Sequence, residues 1–221
     1  FLRYYDALPL DGVIADLGLS SHHIDDSKRG FSFRFNEAEL DMRMDVNTQK
    51  TARIVVNTYS IEQLTSVFEQ YGEINNAHKL AKAIINSREN SEIISSNDLL
   101  AVLEPFALKG KENQFYAKVY QALRIEVNDE LTSLKELLKQ LPELLKPSGR
   151  AVFIAYHSLE DRLVKNFLKT GNFDGNLLKD FYGNIISPWK SASQKPIVPN
   201  EVEIKENNRA RSAKLRIAVK N

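Results

Sequence analysis

Asp16 is the first residue of this chain placed for chemistry. It follows Gly12-Val13-Ile14-Ala15, a short apolar run of the kind that forms a strand buried in a parallel sheet, and it opens the turn-prone loop Leu17-Gly18-Leu19-Ser20-Ser21. Ligands of open α/β sheets bind beyond the carboxyl ends of the strands, which is where this carboxylate is expected. A second apolar run, Arg150 to Tyr156, leads directly into His157-Ser158-Leu159-Glu160-Asp161-Arg162. Ser158 reads as a helix N-cap with Asp161 three residues on, both acids favoured by the positive helix end. The same helix end can hold an anion, and His157, just ahead of it, is the candidate for chemistry.

Other groups are ambiguous. Phe31 and Phe33 with Arg29, Arg34 and Arg43 suit either a loop anchored to the core or an unstacked nucleic-acid base beside a crevice, and composition does not separate the two. Arg209 and Arg211 are either solvated or hold phosphates, being just ahead of a strand. His22-His23 with Asp25-Asp26 lacks any H-x-x-x-H or H-x-x-E-H spacing and reads as a polar turn, not a metal site.

The 221 residues are 43% hydrophobic and 27% charged, which fits a globular protein able to bury a core without staples. The absence of cysteine removes thiolate catalysis, Cys-ligated zinc and disulfides, and suits a reducing, cytoplasmic setting. The longest apolar run, Ala151 to Tyr156, is far too short to cross a bilayer, so no membrane is expected. Net charge is +1, but Lys205 to Asn221 holds six Lys or Arg against one Glu, a local basic tail.

The elements that must position these residues alternate in type. After the first strand and its loop, Ser60 with Gln63 makes a capping-box pattern ahead of Leu64, Val67 and Phe68. Ala77 to Arg88 repeats apolar residues at helical spacing, and Ser96 or Asn97 can cap a helix from Asp98 to Phe106. One long amphipathic helix then runs from Tyr116 to Leu141, with Pro142 to kink or end it and Lys146-Pro147-Ser148-Gly149 as a stop. Arg150–Tyr156 is expected to pair in parallel with Gly12–Leu17. Leu159 to Lys169 reads as a helix and Ala213 to Val219 as a strand, while 171–212 gives no clear pattern. This predicts an α/β core at 1–45 and 113–221, interrupted by an all-helical insertion at 46–112.

Six segments together resemble the MraW/RsmH family, in that family's order over essentially the whole chain. They are Asp11–Ser21, Arg29–Phe33, Leu40–Asp45, Ala122–Asn128, His157–Arg162 and Asn208–Arg216. The resemblance implies a Rossmann-like methyltransferase with a helical insertion. It also implies a reaction, transfer of a methyl from S-adenosylmethionine to the N4 amine of a cytidine in the decoding region of 16S ribosomal RNA. Asp16 carries over as a cofactor contact and, with His157, as a catalytic candidate. The family has Ser-Ser-Pro-Gln where this chain has Ser20-Ser21-His22-His23, so His23 inherits the glutamine's cofactor contact. Arg29, Phe31, Phe33, Arg43, Arg209 and Arg211 become RNA-contact candidates, and the small ribosomal subunit the partner.

The family's glycine-rich cofactor loop lies upstream of the strand carrying Asp16, and no G-x-G occurs here. The resemblance therefore implies a C-terminal part of the enzyme, inactive alone, weak in cofactor binding and apt to form a homodimer through an uncovered strand edge. A non-enzymatic RNA- or nucleotide-binding module is the chief rival. A metal hydrolase using His22, His23, Asp25, Asp26 and His157 is a distant one.

Overall fold

The computed structural model describes residues 2–193 and 195–221. They fall into two compact units: residues 1–18 with 131–221, and residues 19–130. The boundaries drawn from sequence at 46 and 112 both fall inside the second unit, which also takes in the loop from Leu19 and the first half of the long helical stretch.

The first unit is built on a four-stranded sheet in the order β1-β2-β4-β3. β1 (Leu10–Asp16) pairs in parallel with β2 (Leu145–Ala155), as the apolar composition of both runs predicts. β4 (Lys214–Lys220) is antiparallel to β2, and β3 (Trp189–Ser191) is antiparallel to β4. The register places Asp16, Ile154 and Leu215 in one row across the sheet. The carboxyl ends of β1 and β2 and the amino end of β4 therefore meet at one rim.

One face of the sheet is closed by α7 (Glu130–Leu144) and α8 (Ser158–Thr170). Leu134, Leu138 and Leu141 of α7 pack with Val164, Phe167 and Leu168 of α8 over Ala151, Phe153 and Ala218. On the other face Ile14, Val152 and Ile217 share a row, and Ile14, on the edge strand, is 78% exposed. α7 runs on through Pro142 to Leu144, whereas the proline suggests an earlier end.

α8 begins one residue earlier than its sequence suggests. His157, not Ser158, is the N-cap: its Nδ1 accepts from the Glu160 N–H, and Glu160 reaches back to the cap backbone. That frees Asp161, 8% exposed, to take Arg216 at 2.6 Å and Lys214 at 3.2 Å from β4. Burial pushes the Asp161 carboxyl up, but the hydrogen bonds from Arg216 and Lys214 outweigh it and hold its pKa below the ordinary value. A carboxyl with a lowered native pKa stabilises the fold above its unfolded pKa of about 4, and this is lost as pH falls through the native value. Asp161→Ala should cost about 2–4 kcal/mol at pH 7 by leaving Arg216 uncompensated, and the penalty should shrink in melts taken below about pH 3.

The second unit is helical: α2 (Ala52–Thr58), α3 (Ile61–Gly72), α4 (Ala77–Asn90), α5 (Ser96–Leu103) and α6 (Glu112–Asn128), preceded by the short α1 (Ser21–Asp25). The Ser60–Gln63 capping box forms as the spacing predicts. α5 is capped by Ser95, not Ser96 or Asn97, with Asp98 at the third helical position completing its box. The expected long helix is two: Asp129 adopts a left-handed conformation, φ 50°, and its N–H caps α6 before α7 starts. Asp tolerates that region better than most residues, which is why the apolar spacing gives no warning.

Candidate active site

The rim of the first unit holds Asp16, Tyr156, His157 and Glu160. Asp16 ends β1 with its side chain in solvent, and the Tyr156 hydroxyl donates to its Oδ1 at 2.9 Å. Oδ2 carries no hydrogen bond among the described residues. Burial, with the Asp16 hydrogen bond second, pushes the Tyr156 phenol up to about 12, so it stays a donor throughout the neutral range. Glu203 of α9 (Glu201–Glu206) adds negative potential to the same hydroxyl.

His157 is committed to its helix. Its side chain is only 10% exposed, Nδ1 serves the cap, and Nε2 lies 3.1 Å from Glu160 Oε1. Glu160, 3% exposed, accepts the backbone N–H groups of Tyr156 at 3.0 Å and His157 at 3.4 Å. Asp16 Oδ2 is an exposed acceptor on this rim, whereas His157 Nε2 is buried beside Glu160 with no hydrogen bond among the described residues. The His157–Glu160 capping box fixes the turn that aims Tyr156 at Asp16. Arg209 and Arg211 lie in the short 3₁₀ segment before β4, at the same end of the sheet, with both side chains exposed.

The remaining sequence candidates belong to the helical unit. Phe31 is 8% exposed in its core, and Phe33 packs edge-on to Tyr116 and Tyr120, with centroids 5.9 and 5.5 Å away. Arg29 donates to the carbonyls of Arg43 and Met44 at 2.5 and 3.2 Å. Arg43 forks onto Asp41 and also donates to the carbonyls of Val46 and Thr48. These four side chains hold the loop together, the anchoring alternative left open by composition. His23 rests its ring 5.8 Å from Phe31, with Nδ1 buried and without a hydrogen-bond partner among the described residues. His22, His23, Asp25 and Asp26 do not bring three ligating atoms together.

Asn128, which residue type alone did not single out, ties two of the quoted segments together across the unit. Its Oδ1 accepts from the Met44 N–H at 2.6 Å and its Nδ2 donates to the Met42 carbonyl at 2.7 Å. Met42 is fully buried at φ 61°, a strained conformation for methionine that this amide clasps. Lys50 and Tyr59 both reach Glu126 two residues before it, at 3.2 and 2.6 Å.

Residues 2–221 match the model of the MraW methylase family. The chain belongs to that family. It is 53% identical, over its whole length, to the ribosomal RNA small subunit methyltransferase H of Parabacteroides distasonis and covers 72% of that protein. It is 52% identical to the protein of that name from Bacteroides thetaiotaomicron, again 100% of this chain and 72% of the relative. Against the Amoebophilus asiaticus protein it is 54% identical over 98% of this chain and 70% of the relative. In this MraW-family chain Tyr156 stands in the sequence as the end of the apolar run, with no role of its own assigned. That position was the available signal. Tyr156→Phe should lower kcat of the native full-length protein about ten-fold, with KM for the methyl acceptor and the melting temperature nearly unchanged.

Proposed function

We propose that this chain takes part in S-adenosylmethionine-dependent methylation of 16S ribosomal RNA in the small subunit, at the N4 amine of a cytidine in the decoding region. Family membership and the names of its relatives support the reaction class. The observation that carries the site is Asp16, held by Tyr156 at the carboxyl end of a parallel strand with one oxygen open. An exposed carboxylate with a free lone pair fits the hydroxyl or amine hydrogens of a nucleoside, so the residues present suit the cofactor or the target base. Among the described residues no helix is long and apolar enough to cross a membrane.

S-adenosylmethionine, when bound, supplies an electrophilic methyl on a sulfonium. The difficulty lies with cytosine N4, whose lone pair is conjugated into the ring. Asp16, with the carbonyls of the Leu17–Leu19 loop, accepts the hydrogens of that amine, localises the lone pair and orients it. A methylated N4 would have to shed one proton, and the Asp16 carboxylate would be the acceptor that this chain offers for it. Tyr156 fixes the carboxylate, His157 and Glu160 fix Tyr156, and Arg209 and Arg211 take RNA phosphates near this rim.

Mapping the modified nucleotide decides the matter. Unmethylated small subunits incubated with the native full-length protein and labelled cofactor should gain one methyl on the exocyclic nitrogen of a single cytidine, read by nuclease digestion and mass spectrometry. Label on a ribose, a ring carbon or a protein would overturn the reading.

Residues 1–221 by themselves should bind S-adenosylmethionine with a Kd weaker than millimolar, since no G-x-G loop occurs among them to cradle the cofactor. Micromolar binding in calorimetry would refute this. The same residues should pair with a second copy through the free edge of β1, and a strictly monomeric mass in light scattering would exclude it.

A further inference from the structure

The helical unit carries a groove that the methylation rim leaves unexplained. It encloses about 480 Å³, within the range of small-ligand sites, and lies between the α3–α4 turn, the segment after α5 and the start of α6. Ile74 and Leu80 lie in its lining, both buried, with Phe106 and Phe115 partly exposed beside them.

One wall is a helix face with a legible pattern. Lys111, Gln114, Phe115 and Lys118 stand at i, i+3, i+4 and i+7, so all four line the groove on one side of α6. The lysines are separated by two turns, about 10 Å along the axis, with the amide and the ring between them. The opposite wall offers the amides of Asn75 and Asn76 and the carboxylate of Glu73. Among the described residues, the side chains of Lys111, Gln114, Lys118, Asn75 and Asn76 make no hydrogen bond or ion pair, and Asn76 leaves its own helix uncapped.

Free lysines on a helix are ordinary. What is specific is a ring between two cations, facing amides and an acid across an apolar-floored groove. An acidic peptide would meet Glu73, and an aliphatic side chain would strand the amides without partners. A nucleotide satisfies the set: its π-face lies on Phe115, its base edge meets the amides of Asn75 and Gln114, and the phosphates on either side reach Lys111 and Lys118.

We propose that this groove holds one unstacked nucleotide of single-stranded ribosomal RNA, other than the one methylated. The inference rests on the reading above that the chain acts on RNA, and it adds where a second nucleotide is gripped.

The test measures fluorescence anisotropy of a labelled short single-stranded RNA on the native full-length protein across a salt series. Lys111→Gln with Lys118→Gln should lower the salt slope by about 1.4, close to 0.7 for each lost phosphate contact. Phe115→Ala should weaken binding about ten-fold and leave that slope alone, while Phe115→Trp restores affinity and shows indole quenching on RNA addition. Melting curves confirm that each variant is folded. Folded variants that bind with unchanged slope and affinity would overturn the proposal. So would free cytidine monophosphate binding as tightly as the strand, or a photoreactive side chain at position 108 cross-linking to a ribosomal protein in place of RNA. Wild-type methylation of small subunits is scored separately, so failure of the groove leaves the methylation reading standing, and failure of methylation leaves the binding data to judge the groove.

Discussion

Replacing Asp16 by Asn in the native full-length protein is expected to lower the methylation rate of small subunits about 100- to 1,000-fold. That is the typical cost of removing one preorganised group from a charge-developing centre. Asparagine keeps the shape and can still accept from Tyr156, but it loses the negative charge that draws a proton from the amine. The side chain is exposed and its backbone pairing with β2 does not involve it, so the melting temperature should hold. The loss should appear in kcat as well as in kcat/KM, because the charge matters most as the nitrogen becomes cationic. A variant that methylates at the wild-type rate would remove Asp16 from the chemistry.

Gly30→Ala should cost about 4 kcal/mol or more and prevent the helical unit from reaching its native packing. Gly30 has φ +67°, and a Cβ added there would sit 2.2 Å from the Glu39 carbonyl oxygen and 2.9 Å from the Asp41 nitrogen. Both atoms are backbone, so no rotamer relieves the clash. The strand of loop they belong to is fixed by Arg29, Arg43 and Asn128 together. Circular dichroism with urea titration would register the loss, and a midpoint within experimental error of wild type would show that this loop yields more easily than its contacts indicate.

Much of the architecture was legible because local chemistry and tertiary pairing agree. Gly12–Ala15 and Ala151–Tyr156 are apolar runs that pair in parallel, but the first is an edge strand whose Ile14 is exposed, not the buried strand its composition suggests. Ser60 and Gln63 sit at the spacing that closes a box, and they close it. The failures share a different origin. Asp129 ends α6 through its own backbone conformation while the apolar repeat continues on both sides. Ser95 is the cap in place of Ser96 because it has the extended backbone a cap requires, whereas Ser96 is already the first helical residue. His157 stands as the cap in place of Ser158, with Glu160 at the third helical position closing the box while Asp161 pairs with Arg216 and Lys214 of β4.

At the candidate site, Asp16 and His157 were named from sequence, but their division of labour was not. Which imidazole nitrogen is spent on a cap depends on where the next turn points Glu160. Likewise, aromatics and arginines near a crevice look the same on paper whether they face a base or a core. Phe33 packs against the ring edges of Tyr116 and Tyr120 of α6, and Phe31 is buried between His23 and the Arg29 guanidinium.

The pairing of β1 with β2 also sets a clock. Leu10 meets Leu145, so the first strand emerges about 130 residues before its partner exists. At 5–20 residues per second that interval is on the order of 10 s, long against the microseconds to milliseconds in which helical units with local contacts form. Every residue of the second unit's core lies between the two strands, so that core can close while β1 is still waiting. During synthesis Ile14 and its neighbours thus wait through that interval for their pairing with β2. Any slowing of translation between Leu131 and Leu145 prolongs the interval before β1 and β2 can pair.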